Sequence, residues 1–356
     1  MKILLYTFDI MPIGGIETSF YELACYLKSK GYDVGVRYTK ASPMRLERYN
    51  EAGIDVSKEQ VRGYEVCDIL LIGSIWRRPT NIRARVTVQQ IHADWSDDFW
   101  KGAPSAVQMV KRAEGDVDIF ACVGVSSSEF VRKLVSKPVV VMNNLAPISG
   151  VITRNKHDGL RLAAFTRMSS EKGLENYQAL RARLDQLGIK AECRVYTNGD
   201  APDGWTLYDP VPDIRAVLPD IDFAVSLADT ESFGYTIAEA NAHGVPAIIK
   251  RTNSTAEYFT DKCNIILDDI SNLIESDLKR KFSTEYYLRE RTEANVDSAL
   301  ELFASMAHGI VIIKAMKLFI DLKANRLRVL GELFAASSER ASELLARDDN
   351  LVEVAS

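Results

Sequence analysis

Apolar positions in the first part of the chain fall in short, β-branched runs separated by amphipathic stretches. The runs are KILLYTF from Lys2, DVGVRY from Asp33, CDILLIG from Cys67, VTVQQI from Val86, DIFACVG from Asp118 and PVVVM from Pro138. After the first run, IETSFYELACYLKSKG sets Phe20, Leu23, Ala24 and Leu27 on one helical face and stops at Gly31. Strands that alternate with helices in this way predict a parallel sheet covered on both faces.

Between Asn143 and His157 the pattern gives way to NNLAPISGVITRNKH, and then it restarts. LRLAAF, the helical LENYQALRARLDQLG, ECRVY, IDFAVSLA, a helix after Gly234 and VPAII form a second doubly wound series. A length of 356 residues also exceeds the usual single core. The expected domains are therefore 1–147 and 148–306, followed by an extension over 307–356. Beyond Ser283 the pattern is helical throughout, with His308 and Gly309 dividing one long helix from a second. Residues 309–334 carry five Lys and Arg against two acidic residues, a net +3 on a broadly apolar arc. Packing against the domains, or a homodimer through the C-terminal helices, is expected ahead of peripheral membrane contact, which needs a cleaner basic face.

Composition narrows the partners. A net charge of -5 argues against nucleic acid, and no apolar run is long enough to span a bilayer. The five cysteines stand singly with no Cys-x-x-Cys pair, which fits reduced thiols in a cytoplasmic protein. The N-terminal apolar run is short, is broken by Asp9 and lacks a small-residue cleavage site, so it reads as a buried strand.

Two stretches carry candidate chemistry. In DTESFGYTIAEANAHGVPAII, Glu231 lies in the loop that leaves a strand, and a helix starts near Phe233 and Gly234. Open α/β sheets bind ligands at this position. The N–H groups at a helix start suit a phosphate, and Gly234 allows close backbone approach. Glu239, more than one turn further on, could accept hydrogen bonds from a ribose diol; the plainer alternatives are a capping role for Glu231 and a solvated or ion-paired Glu239. In FTRMSSEKGLENYQAL, Arg167 and Lys172 flank Ser169, Ser170 and Gly173. Two cations at a helix start can clamp a diphosphate and stabilise it as it departs, or the stretch is an ordinary Ser-capped helix with a solvated lysine.

Taken together with DIMPIGGIETSFYELACYLKSKGYDV, these segments resemble the retaining glycosyltransferases of the GT-B fold, family 4, over roughly residues 1–305. The resemblance implies an α/β fold of two doubly wound Rossmann-like domains facing a cleft, with the helical extension added. It implies a nucleoside diphosphate sugar, UDP- or GDP-linked, as donor, and a glycan, glycolipid or protein hydroxyl as acceptor. Arg167 and Lys172 correspond to diphosphate ligands, Glu239 to the ribose ligand and Glu231 to the carboxylate on the donor sugar. The backbone of Phe233, Gly234, Tyr235 and Thr236 would lie beside the sugar and phosphate, and Gly14 and Gly15 would form the phosphate loop of the first domain. His92, in QQIHADW, falls where the family often carries a histidine near sugar and acceptor; Asn143 and Asn144 fall in the inter-domain segment, without its usual glycine. No cofactor and no essential metal are implied, because the two cations supply the leaving-group charge.

Other readings compete. A sugar-nucleotide epimerase would turn over donor without an acceptor, and a scaffold subunit would keep the donor pocket without catalysis. PIGGIE lacks the Gly-x-Gly-x-x-Gly of an NAD-binding Rossmann domain. Asp116–Asp118 and Asp220–Asp222 resemble metal-gripping Asp-x-Asp pairs but stand at strand entrances, where a structural role is expected. His243 reads as helix-end packing, and neither His157, in the linker, nor His308, at the tail break, has a partner that suggests catalysis. Acceptor contacts are expected from SIWRRPTN and ADWSDDFWKGAP, with Trp95 and Trp100 stacking on a sugar or packing internally, and Arg77 and Arg78 meeting a phosphate or facing solvent.

Overall fold

The computed structural model describes residues 1–10, 15–59, 63–73, 78–93, 104–211 and 213–308, with short pieces at 311–315, 319–321, 326–328, 333–336 and 352–354. The chain forms two compact units, one of residues 1–144 together with 293 onward, the other of residues 145–292. The first unit runs β1 (Lys2–Ile10), α1 (Gly15–Ser29), β2 (Asp33–Ala41), α2 (Pro43–Glu51), β3 (Asp55–Lys58), β4 (Glu65–Ile72), β5 (Ile82–Ile91), α3 (Pro104–Ala113), β6 (Ile119–Cys122), α4 (Val125–Arg132) and β7 (Val139–Val141). The second runs β8 (Leu160–Ala164), α5 (Leu174–Gln186), β9 (Ala191–Tyr196), β10 (Thr206–Tyr208), β11 (Phe223–Ser226), α6 (Tyr235–Ala242), β12 (Ala247–Lys250), α7 (Asn253–Tyr258), β13 (Ile265–Leu267) and α8 (Glu275–Leu278).

Both sheets share one order, β3-β2-β1-β4-β5-β6-β7 in the first unit and β10-β9-β8-β11-β12-β13 in the second. Every described pair within them is parallel. The chain moves outward from β1 and from β8, then crosses back to β4 and to β11. The crevice at the C-terminal ends of β8 and β11 is thus a switch point of the kind that binds ligands. Period-two alternation divides the core: Phe223, Val225 and Ile248 pack on one face of the second sheet, and Ala224, Ala247 and Ile249 on the other.

The aspartates at strand entrances are structural. The Asp118 carboxylate accepts the Thr87 amide at 2.8 Å and Asp222 accepts Arg161 N–H at 2.8 Å; from within β4, Asp68 likewise accepts Lys2 N–H at 2.8 Å. Each satisfies a donor that the neighbouring strand would leave unpaired at the sheet end.

Helix α9 (Leu288–Ala307) matches the first long helix of the sequence pattern and buries Val296, Leu300 and Phe303. Asn295 in this helix accepts the Asn143 amide at 2.6 Å, and Tyr26 donates to Asp297 at 2.8 Å, so its face is used within the chain. The second predicted helix is corrected by the described pieces, which are short antiparallel strands β14 (Val311–Ala315), β15 (Phe319–Asp321), β16 (Arg326–Arg328), β17 (Leu333–Ala336) and β18 (Val352–Val354). Val311, Ile312 and Ile313 are β-branched in succession, which opposes a helix whatever the apolar arc. A homodimer built from paired C-terminal helices therefore loses its second helix.

One buried charge network ties the first sheet together at its entrance. Arg37 is 5% exposed and reaches Glu65 through two hydrogen bonds of 2.7 and 2.6 Å, Asp55 at 2.7 Å; Lys2 also reaches Glu65, at 2.9 Å. Gly35 leaves room for the guanidinium, since a Cβ there would stand 3.0 Å from Arg37 Nη1. Burial alone would raise the Glu65 pKa, but the hydrogen bonds from Arg37 and Lys2 outweigh it and hold the carboxyl below its ordinary 4.5. The carboxylate thus stabilises the fold above the unfolded-state pKa, and this contribution is lost as pH falls through the lower folded value. Glu65→Gln leaves Arg37 paired with Asp55, which is 64% exposed, and is expected to cost about 1.5–3 kcal/mol at pH 7, with a flatter loss of stability below pH 4.5, both measured by urea denaturation at a series of pH values.

Candidate functional site at the second-sheet switch point

Three segments converge at the C-terminal ends of β8, β11 and β12. The loop after β8 carries Arg167 and enters a 3-10 turn, Ser170–Lys172, that ends at Gly173 with φ +76°. Gly173 is buried, and a Cβ on it would lie 2.2 Å from the carbonyl oxygen of Leu227, one residue beyond β11. Only glycine permits both that conformation and that approach. The first turn of α5 then seats on the same residue: Asn176 Nδ2 donates to the Leu227 carbonyl at 2.8 Å, and the Tyr177 hydroxyl accepts the Leu227 amide at 3.2 Å.

This seating places Lys172 against the exit loop of β11. Its Nζ lies 3.5 Å from Glu231 Oε2, the two side chains being 25% and 21% exposed. Glu231 Oε1 accepts the amides of Ser232 at 3.0 Å and Gly234 at 3.2 Å, so the carboxylate holds the entry to α6 as well as the lysine. Gly234 has φ +80°, and no side chain caps α6. Glu231 instead braces the turn that leads into α6, through the Ser232 and Gly234 amides.

Arg167 is exposed on the loop that carries Lys172, and Glu239, Tyr235 and Thr236 are half-buried in α6. Phe233 is 1% exposed and packs edge-on against Tyr235 and Tyr258, so its ring belongs to the core and only its backbone can meet a ligand. His243 Nδ1 stands 2.8 Å from the Glu239 carbonyl, which fixes the end of the helix. His157 lies 3.7 Å from Asp222. Gly15 begins α1, while Gly14, Arg77, Trp95 and Trp100 lie outside the described residues. Arg78 does not face solvent: it ion-pairs with Asp116 at 3.3 Å and donates to Gln89 at 3.2 Å.

Sequence reasoning missed Asn176, Asp229 and Lys250. Asn176 Nδ2 also reaches Asp229 Oδ1 at 3.1 Å, Lys250 Nζ reaches Asn176 Oδ1 at 3.4 Å, and Lys250 ion-pairs with Asp229. Their shared signal is position, since Asp229 lies just past β11 and Lys250 ends the adjacent β12; nothing in the residue types marks them. Among the described residues no group of three His, Cys, Asp or Glu side chains gathers to hold a metal.

His92 lies in the first unit, just beyond β5. The residue keeps partial exposure, yet both ring nitrogens are shielded and have no hydrogen-bond partner among the described residues. The Phe20 ring meets it edge-on at 5.8 Å. Asn144, whose Oδ1 accepts Ser19 Oγ at 2.7 Å, faces the imidazole. Burial pushes the pKa down to about 4, with Asn144 only partly opposing it, so the ring is neutral at pH 7.

No protein-family model and no curated protein sequence matches the chain. Solved structures do. HepE from Anabaena, in complex with UDP and glucose, superposes with a TM-score of 0.59 at 13% identity, over 87% of this chain and 98% of that one. The fold is GT-B. WaaG, a glycosyltransferase involved in lipopolysaccharide biosynthesis, gives 0.58 at 11% identity over 86% and 98% of the two chains. A glycosyltransferase from Rickettsia africae gives 0.53 at 16% identity over 86% and 96%. Identities this low carry the fold and leave the reaction to the site. No helix among the described residues is long and apolar enough to cross a membrane.

Two outcomes test this geometry. Gly173→Ala, facing the Leu227 carbonyl with φ +76°, is expected to lower stability by at least about 2 kcal/mol, read as a lower urea midpoint at unchanged slope. For His92, the unfolded state takes up a proton near 6.5 and the folded state only near 4, so its stabilising contribution is complete above pH 6.5 and lost as pH falls toward 4. His92→Gln is expected to show a shallower loss of stability across that interval in pH-dependent thermal melts.

Proposed function

We propose that this chain transfers a sugar from a nucleoside diphosphate sugar to a hydroxyl acceptor with retention of configuration, as the family-4 resemblance implies. The observation that carries the proposal is the Lys172–Glu231 pair, 3.5 Å apart at the switch point, with Glu231 also holding two amides at the start of α6. A cation, a helix start and a hydroxyl-accepting carboxylate are the groups a sugar diphosphate requires within one site. The GT-B fold supports this reading, as does a structural neighbour solved with UDP and glucose.

In the proposed reaction the bond from the anomeric carbon to the phosphate oxygen breaks, and the electron pair leaves with the nucleoside diphosphate. The acceptor oxygen bonds to that carbon on the same face, and its proton passes to the departing phosphate. Arg167 and Lys172 stabilise the developing charge, so no essential metal is needed for that step; Glu231 holds hydroxyls of the donor sugar and Glu239 the ribose. The first unit is assigned the acceptor. A neutral His92 would take part through hydrogen bonding and not through charge. UDP- and GDP-linked sugars fit this chemistry alike.

A thermal-shift panel of UDP, GDP, ADP, TDP and NAD, with and without a divalent metal, tests the assignment. One diphosphate is expected to raise the melting temperature without metal, and the shift is expected to disappear in Lys172→Ala and Glu239→Ala. A shift from NAD alone, or undiminished shifts in both variants, would overturn it.

A further inference from the structure

We propose that Asn176, Asp229 and Lys250 form a positioning clip that fixes Lys172 and Glu231 for ligand binding, a role that rests on the sugar-nucleotide reading of this site. The clip joins three segments of separate sequence origin. Asn176 belongs to the first turn of α5, four residues after Lys172; Asp229 lies in the loop after β11, two residues before Glu231; Lys250 ends β12. Asn176 uses one amide group three ways, donating to the Leu227 carbonyl at 2.8 Å and to Asp229 at 3.1 Å and accepting from Lys250 at 3.4 Å. Lys250 closes the circuit by ion-pairing with Asp229.

Its location argues for positioning ahead of stability. The Lys250 and Asp229 side chains are 25% and 50% exposed, and an ion pair so open to water adds little to folding. A clip with that exposure can still choose one path for a short loop, because the loop is already held at Leu227 by both backbone groups. Between that anchor and Glu231 lie only Ala228, Asp229 and Thr230, and the clip grips the middle one. Without it, Glu231 could keep its hydrogen bonds to Ser232 and Gly234 while the whole turn shifts away from Lys172. Misplacement of an ångström at such a pair is costly for binding and catalysis.

The test compares Lys250→Met, Lys250→Arg and wild type by two measurements. Hydrogen-exchange mass spectrometry of the peptide covering 227–235 reads the loop without any ligand, and calorimetry with UDP and GDP reads the site. Lys250→Met is expected to speed exchange of that peptide about tenfold and to weaken the diphosphate that binds wild type by at least about fivefold, with both effects largely reversed in Lys250→Arg. Combined with Lys172→Ala, Lys250→Met should add little further loss of affinity, because it acts through that lysine. Unchanged exchange would overturn the clip, as would faster exchange with undiminished affinity, which is the signature of a purely structural contact. If wild type binds neither diphosphate, the site reading falls and the positioning role falls with it, an outcome told apart by the silence of the wild type itself.

Discussion

Leu227 has both of its backbone polar groups taken by side chains of one helical turn, the amide by Tyr177 and the carbonyl by Asn176. A residue just past the end of a parallel strand has left the ladder, and its buried N–H and C=O must be satisfied elsewhere or cost free energy. Here the first turn of α5 supplies both partners, and the absence of a side chain at Gly173 lets that turn come close enough to do so. The remaining site geometry follows from this contact. Lys172 precedes Gly173 in the chain, Glu231 follows Leu227 by four residues, and the two meet because their neighbours are pinned together.

The carboxylate of Glu231 shows how a fold element and a ligand group can be the same side chain. It accepts two amides at the start of α6, which stabilises a helix that Gly234 enters from the left-handed region, and it still faces Lys172. An anion at this helix start is favoured by the helix dipole. A phosphate arriving there would find the same field, together with a lysine already oriented. Structure and proposed chemistry draw on one electrostatic arrangement.

Charge is handled differently in the first unit. Arg37 and Glu65 sit where burial would otherwise neutralise a carboxyl, and dense hydrogen bonding keeps both ionised. His92 has no comparable partner for its nitrogens among the described residues, and burial leaves it neutral. The contrast is set by neighbours alone: a charge survives burial when a fixed counter-charge meets it, and is discharged when none does.

The sequence by itself determined the two doubly wound sheets, because β-branched runs alternating with 3.6-period helices admit few other arrangements, and the glycines at 173 and 234 mark turns that other residues cannot adopt. It also marked Lys172 and Glu231, whose residue types stand out at the ends of strands. It could not pair them, since the two are 59 residues apart and only the crossover that sets β11 beside β8 brings them within reach. The same limit hid Asn176, Asp229 and Lys250, ordinary polar residues that acquire a joint role through the register of neighbouring strands. Beyond Ala307, helical periodicity in the apolar positions conflicted with a run of β-branched residues, and the strands that form there depend on pairing with distant segments that no local pattern announces. Local periodicity fixes the elements of the two parallel sheets; which elements touch, and what forms where periodicity and β-branching disagree, is decided by the tertiary fold, because that depends on burial and strand order across the whole chain.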